Sequence, residues 1–253
     1  MSIRPPDFII GGAPRSGTTW LYQLLDRHPE LYLAKPRQPE PKFFLVDDSY
    51  RRGMNYYLRT WFADNAGGKI AGEKSSNYLE SATAAGRISR DLPAVKLIFI
   101  LREPAERAFS NWLWSRQNGL ESADFVTALD LEAERERTVS ELHRYSRPHA
   151  YFSRGLYADL VLPYLAAFSR SQLLFLLFED MVARPGALAT SVHAFLGVSA
   201  RPDDARDLGV VNPSQEIDVS MPADVRRRLG AAYAESNNRL RQLLGLDLDR
   251  WDE

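Results

Sequence analysis

Gly11-Gly-Ala-Pro-Arg-Ser-Gly-Thr-Thr19 concentrates the groups that bind an anion. Gly12 and Gly17 permit close backbone approach and unusual dihedral angles. Thr18 and Thr19 add hydroxyl donors, and Arg15 puts a permanent positive charge inside the loop. Phe8, Ile9 and Ile10 before it form the short apolar run of a strand buried on both faces. After it, Leu21, Leu24 and Leu25 fall on one helical face. Strand, glycine-rich turn and helix together aim free backbone N–H groups at an anion. The alternative is an ordinary strand-to-helix turn with a capping Thr; the combination of all three elements favours anion binding.

The spacing nearly fits a Walker A loop. Gly12 and Gly17 stand in place, but the lysine position holds Thr18 and the cation has moved forward to Arg15. Such a loop is a poor cradle for the β- and γ-phosphates of a nucleoside triphosphate and suits a smaller doubly anionic group. A second apolar run, Val95 to Leu101, ends in Arg102, and Ser110 follows two turns into the next predicted helix. Arg102 offers a charged fork and Ser110 a hydroxyl to one anion. A triphosphatase would place a Mg²⁺-binding Asp there. Glu40-Pro-Lys-Phe-Phe44 holds a carboxylate on a proline-stiffened loop beside two aromatic rings. Partial burial is expected to raise its pKa and make it a better base; the alternative is a surface Glu with Phe43 and Phe44 packing inward. Gly72-Glu-Lys-Ser-Ser-Asn-Tyr78 follows a strand end and carries Lys74, whose alternative is a solvated turn residue.

Pro14-Arg-Ser-Gly-Thr-Thr-Trp20 resembles the 5′-phosphosulfate loop of sulfotransferases, which use 3′-phosphoadenosine 5′-phosphosulfate (PAPS) and release adenosine 3′,5′-bisphosphate (PAP). The resemblance implies that Arg15, Ser16, Gly17, Thr18, Thr19 and Trp20 bind the donor, with Trp20 near adenine. Arg102, seven residues and Ser110 match the family's 3′-phosphate site. Glu-x-x-Phe-Phe resembles the heparan-type enzymes, in which that Glu, here Glu40, is the catalytic base. Glu-Lys-x-x-x-Tyr resembles their segment whose Lys, here Lys74, faces the reaction centre. Two features depart from the pattern. The Lys that precedes the base is Pro39 here, with Lys42 inside the motif as the compensating cation. Gly209 to Pro222 contains no Lys or Arg where many relatives carry a basic loop, leaving Arg154, Arg201 or Arg206 as substitutes. The family implies transfer to a hydroxyl or amine of a small-molecule, lipid or carbohydrate acceptor, with no metal. The alternatives are a P-loop small-molecule kinase using ATP and a non-catalytic donor-binding module.

The elements that must position these residues alternate. Strands are expected at Phe8–Ile10, Leu31–Ala34, Lys69–Glu73, Val95–Leu101 and Gln172–Phe178. Helices are expected from Thr18, over Tyr50–Phe62, Ser81–Leu92, Pro104–Asn118, Asp124–Arg137, Gly155–Ser169, Pro185–Leu196 and Pro222–Leu244. Lys35–Pro41, with three prolines, reads as a stiff extended loop. The charges of Asp124–Arg137 and of Arg226, Arg227 and Arg228 read as solvated faces, and His143, His149 and His193 as structural or surface residues. The pattern predicts an α/β, P-loop-like three-layer fold, a central parallel sheet covered by helices on both faces. Ligands in such sheets sit beyond the carboxyl ends of the strands.

The 253 residues, 45% of them hydrophobic, suit one domain over 1–253 with a full core. A net charge of -1 gives no global field toward nucleic acid or membranes. With no cysteine, disulfides, zinc–thiolate sites and cysteine nucleophiles are excluded. No apolar segment has the length of a membrane span, and Met1 to Asp7 has no signal core. The expected setting is cytoplasmic.

Overall fold

The computed structural model describes residues 3–65, 68–206, 208–209 and 219–252. Strands β1 (Phe8–Gly12), β2 (Leu31–Leu33), β3 (Ile70–Lys74), β4 (Lys96–Leu101) and β5 (Leu173–Leu177) form one sheet. The first helices are α1 (Thr18–Asp26), α2 (Asp47–Arg51), α3 (Gly53–Trp61) and α4 (Ala82–Asp91). Next come α5 (Pro104–Gln117), α6 (Phe125–Asp130), α7 (Glu132–Arg137) and α8 (Tyr157–Ala167). The last are α9 (Phe178–Ala183), α10 (Pro185–Leu196), α11 (Asp203–Arg206) and α12 (Ala223–Leu244). None of the described helices is long and apolar enough to cross a membrane.

The chain forms two compact units, Met1–Leu101 with Pro163–Val211, and Arg102–Leu162 with Asn212–Glu253. The first holds the sheet, in the order β2-β3-β1-β4-β5 with every pair parallel. The apolar runs make this possible: β1 is buried along its whole length, and β4 in all but its first residue. The chain leaves β1 toward β2 and leaves β4 toward β5. The topological switch point therefore lies between the carboxyl ends of β1 and β4, where open α/β sheets bind ligands. The core of this unit packs Phe8, Ile10, Trp20, Leu21, Leu24, Leu25, Ile98, Ile100 and Val192. The second unit is helical around α5 and α12, with Phe109, Trp112, Phe125, Tyr151, Val225, Leu229 and Tyr233 in its core.

Three expected elements differ. Tyr50–Phe62 is broken because Gly53 takes φ 79°, which separates α2 from α3. Asp124–Arg137 is also two helices, with Leu131 as the joint, and its Glu132 is buried rather than solvated. That carboxylate accepts the N–H groups of Phe152 and Ser153, at 2.5 and 2.9 Å. Residues 35–41 have no regular structure, as expected, but they bend at 35 and 37–39 instead of running extended. The stretch 210–218 of the expected polar connection lies outside the described residues.

Gly72 faces Phe8 across the β1–β3 pair. A Cβ on Gly72 would lie 2.2 Å from the Phe8 Cζ. Gly72→Ala is expected to destabilise the fold by about 1–3 kcal/mol, the usual cost of overpacking a core, as read by chemical denaturation.

Candidate active site

The loop between β1 and α1 takes the shape its glycines allow. Arg15 has φ 68° and Gly17 φ 90°, so the chain turns through two left-handed positions with Ser16 between them. A Cβ on Gly17 would meet the Met181 Sδ at 2.8 Å, so this position needs glycine for space as well as for its dihedral. Gly17 is the N-cap of α1 and supplies no side-chain cap. The first N–H groups of a helix have no intrahelical partner, and here the positive end of the helix dipole follows Arg15. Ser16 is fully buried, and its Oγ makes no hydrogen bond. An orphaned hydroxyl inside a loop of backbone donors fits an anionic ligand. The N–H of Ala13 donates to the Ile100 carbonyl at 2.8 Å and ties the loop to β4. Thr18 is buried and Thr19 half-buried. Trp20, expected near adenine, is 5% exposed and packs in the core of the first unit.

Glu40 is gripped by the end of β3 and the residues after it. Its Oε1 forms an ion pair with the Lys74 ammonium. The Ser76 N–H donates to Oε2 at 3.0 Å, and the Ser76 hydroxyl lies 2.9 and 3.0 Å from the two oxygens. Lys74 and Glu40 have only 2% and 11% of their side chains exposed. This corrects the expectation of a raised pKa. Burial pushes the Glu40 carboxyl up, but the charges of Lys74 and Lys42 and the hydrogen bonds from Lys74 and Ser76 outweigh it and hold the pKa below its ordinary value. The Lys42 charge thus acts on the Glu40 carboxyl. Phe43 and Phe44 are buried, with Phe43 stacked on Tyr57 at 4.6 Å between centroids. The Ser76 carbonyl lies close to the end of β1 that leads into the anion loop, where a Cβ on Gly12 would be 3.2 Å from its oxygen.

In the second unit, Arg102 is the first residue after β4. Glu103 caps α5 by accepting from the N–H groups of Ala105 and Glu106, at 2.9 and 2.6 Å. Arg102 pairs with Glu106 at 3.1 Å, one helical turn on. Arg226 pairs with the other oxygen of Glu106. Arg226 is therefore not part of a merely solvated face; Arg227 and Arg228 are exposed. Ser110 is buried on the same helix. Arg154, a proposed substitute cation, is buried and donates to the Ser146 carbonyl at 2.7 Å and to Asn111 Oδ1 at 3.4 Å. Arg201 and Arg206 belong to the first unit and pair with Asp204 and Asp203 at 2.6 and 3.0 Å. His193 is buried beside His28, 4.8 Å between ring centroids, and its Nδ1 accepts from the Arg201 N–H.

Sequence reading assigned no role to Ser76, Glu73 or Glu106, and Arg226 read as part of a solvated face. A signal existed for Glu73. Side chains alternate along a strand, so within β3 a Lys74 aimed at Glu40 implies that Glu73 points the other way.

The chain belongs to the sulfotransferase family: the family described as Sulfotransferase domain matches residues 5–209. It is 29% identical over 197 residues to the bifunctional heparan sulfate N-deacetylase/N-sulfotransferase 4 of Mus musculus, covering 77% of this chain and 22% of that protein. It is 30% identical over 195 residues to heparan sulfate glucosamine 3-O-sulfotransferase 3B1 of Mus musculus, covering 76% of this chain and 46% of that one. The chain thus spans less than half the length of these curated relatives. The crystal structure of a sulfotransferase from Alicyclobacillus acidocaldarius superposes with TM-score 0.83 at 30% identity, covering 99% of this chain and 100% of that one. A mouse sulfotransferase complexed with PAP shares the fold at TM-score 0.53 and 17% identity, over 88% of this chain and 70% of that one.

Glu73 carries a pH signature. Burial raises its carboxyl from 4.5 to about 7, against hydrogen bonds from Ser75, Tyr78 and Tyr57 that work to lower it. The folded protein therefore holds a proton that the unfolded chain releases. The stability from this group is complete below pH 4.5 and is lost as pH rises to about 7. At 1.36 kcal/mol per unit that loss is about 3 kcal/mol. Glu73→Gln cannot titrate. The stability of the wild type relative to Glu73→Gln is expected to fall by about this amount across the window, measured by urea denaturation at a series of pH values.

Proposed function

We propose that this chain is a PAPS-dependent sulfotransferase that moves a sulfuryl group to a hydroxyl or amine of its acceptor. Family membership and the lysine-free anion loop support PAPS as donor. The relatives' names, heparan sulfate N- and 3-O-sulfotransferases, favour a carbohydrate acceptor over a lipid or another small molecule. The observation that carries the catalytic reading is the packing of Ser76: it grips Glu40 while its carbonyl lies against Gly12 of the loop. A module that only bound the donor would have no use for a buried carboxylate held there.

In this reading the backbone donors of the loop, the Ser16, Thr18 and Thr19 hydroxyls and Arg15 hold the 5′-phosphosulfate. Arg102 and Ser110 hold the 3′-phosphate, and residues 1–253 are read as one domain. The acceptor oxygen or nitrogen bonds to sulfur as the bond from sulfur to the bridging oxygen breaks. The electron pair leaves on the phosphate of PAP, and the acceptor proton goes to Glu40. Arg15 and Lys74 stabilise the charge that grows on the bridging oxygen and the transferring group. As Lys74 is drawn to that charge its hold on Glu40 weakens, and the carboxylate becomes a stronger base.

Transfer of labelled sulfuryl from PAPS to heparan-type oligosaccharides tests the activity, and transfer from ATP with Mg²⁺ in its place would overturn it. Glu40→Gln is expected to lower turnover by about 10²–10⁴-fold, the usual contribution of a positioned base, with PAP binding unchanged. Full activity of that variant on an alkyl alcohol would remove Glu40 from the role.

The 3′-phosphate site is tested by calorimetry with PAP against AMP. Arg102→Ala is expected to weaken PAP by roughly 1.5–3 kcal/mol, the range of a charged hydrogen bond, and to leave AMP unaffected. Equal wild-type affinity for the two nucleotides would discard the assignment.

A further inference from the structure

Around the carboxyl end of β3 and the turn that follows it, the side chains divide into two sets. Lys74 and Ser76 hold Glu40, while Glu73 and Ser75 turn into the protein. Glu73 is completely buried. Its Oε1 accepts from the hydroxyls of Tyr57 and Tyr78, both at 3.0 Å, and its Oε2 from the Ser75 hydroxyl at 2.6 Å. Two of these hydroxyls have a second partner. The Lys42 N–H donates to Ser75 Oγ at 2.8 Å, and the Phe44 N–H donates to the Tyr78 hydroxyl at 3.3 Å. A hydroxyl has one proton to give. Having accepted from the backbone, each directs that proton to Glu73 when its carboxyl is ionised. One buried carboxyl thus ends two relays that begin on the backbone of the segment carrying Glu40. Lys42, where one relay starts, has φ 46°, a left-handed conformation that a non-glycine residue keeps only when its surroundings hold it.

We propose that Glu73 is a positioning residue for Glu40, setting the path of residues 40–44 through Ser75 and Tyr78 and so placing the Glu40 carboxylate against Lys74 and Ser76. This rests on the reading of Glu40 as the base. If Glu73 served the fold alone, its loss would lower stability and donor binding together and would be indifferent to what stands at position 40. A positioning role acts on turnover and only through Glu40.

Ser75→Ala and Tyr78→Phe each cut one relay and leave Glu73 its other donors, so neither depends on the fate of a bare cavity at Glu73. Each is expected to lower kcat by on the order of 10–100-fold, the effect of a reacting group displaced by a fraction of an ångström to one ångström. PAP affinity by calorimetry stays unchanged and certifies the fold. Glu73→Ala loses at least as much, and Glu73→Gln, whose oxygen accepts from the tyrosines but whose N–H gives Ser75 no acceptor, recovers only part of that loss. The deciding experiment is the cycle with Glu40→Gln. In that background Ser75→Ala is expected to cost no further turnover, because the group it positions is gone. The same fold-loss in both backgrounds, or unchanged kcat in Ser75→Ala and Tyr78→Phe, overturns the positioning role and leaves the base reading intact. Full turnover by Glu40→Gln alone overturns the base reading and the positioning role with it.

Discussion

The ion pair between Glu40 and Lys74 is the contact on which the candidate site depends. Both groups are nearly out of water, and a charge in that setting must be matched or it neutralises. Coulomb attraction alone seldom compensates the desolvation of such a pair; further hydrogen bonds must complete it. Ser76 supplies them to both carboxylate oxygens. The outcome is a carboxylate kept ionised, and it sets a chemical condition. In the proposed reaction, a base held this strongly accepts a proton only when its cation is drawn elsewhere, which would couple proton removal to charge growing on a neighbouring group.

The fold brings that pair together through strand pairing. Parallel β1 and β3 run side by side in register, Phe8 opposite Gly72 and Ile10 opposite Lys74, so both carboxyl ends open on one edge of the sheet. The anion loop continues from β1 and the Glu40 grip from β3. Gly12 permits the two continuations to touch, since any side chain there would strike Leu79 and the Ser76 carbonyl.

The anion loop shows how a phosphate-type cradle changes when its lysine is absent. Backbone N–H groups at a helix start need no particular side chain, so that part of the site survives. The fixed charge comes from Arg15, whose planar fork can span two oxygens. In the helical unit Arg102 and Arg226 share the carboxylate of Glu106. An acidic residue between two guanidiniums holds them in place and lowers their net field.

The sequence by itself determined the strand, loop and helix around Arg15, the parallel sheet, and the motifs that marked Glu40, Lys74, Arg102 and Ser110. Those features are local. Continuous apolar runs report strands buried on both faces, and Gly17, Gly53, Gly119 and Gly197 stand where a left-handed turn ends or begins a helix. Only the tertiary structure decided the protonation of Glu40, expected to go up and found to go down, because its cation is 34 residues away in the chain and is brought near by the sheet. The burial of Glu73, the relays to Lys42 and Phe44, and the partner of Arg226 were settled in the same way. A carboxyl's pKa and a guanidinium's partner are set by which charges and donors lie within a few ångströms, and residue types along the chain do not carry that distance.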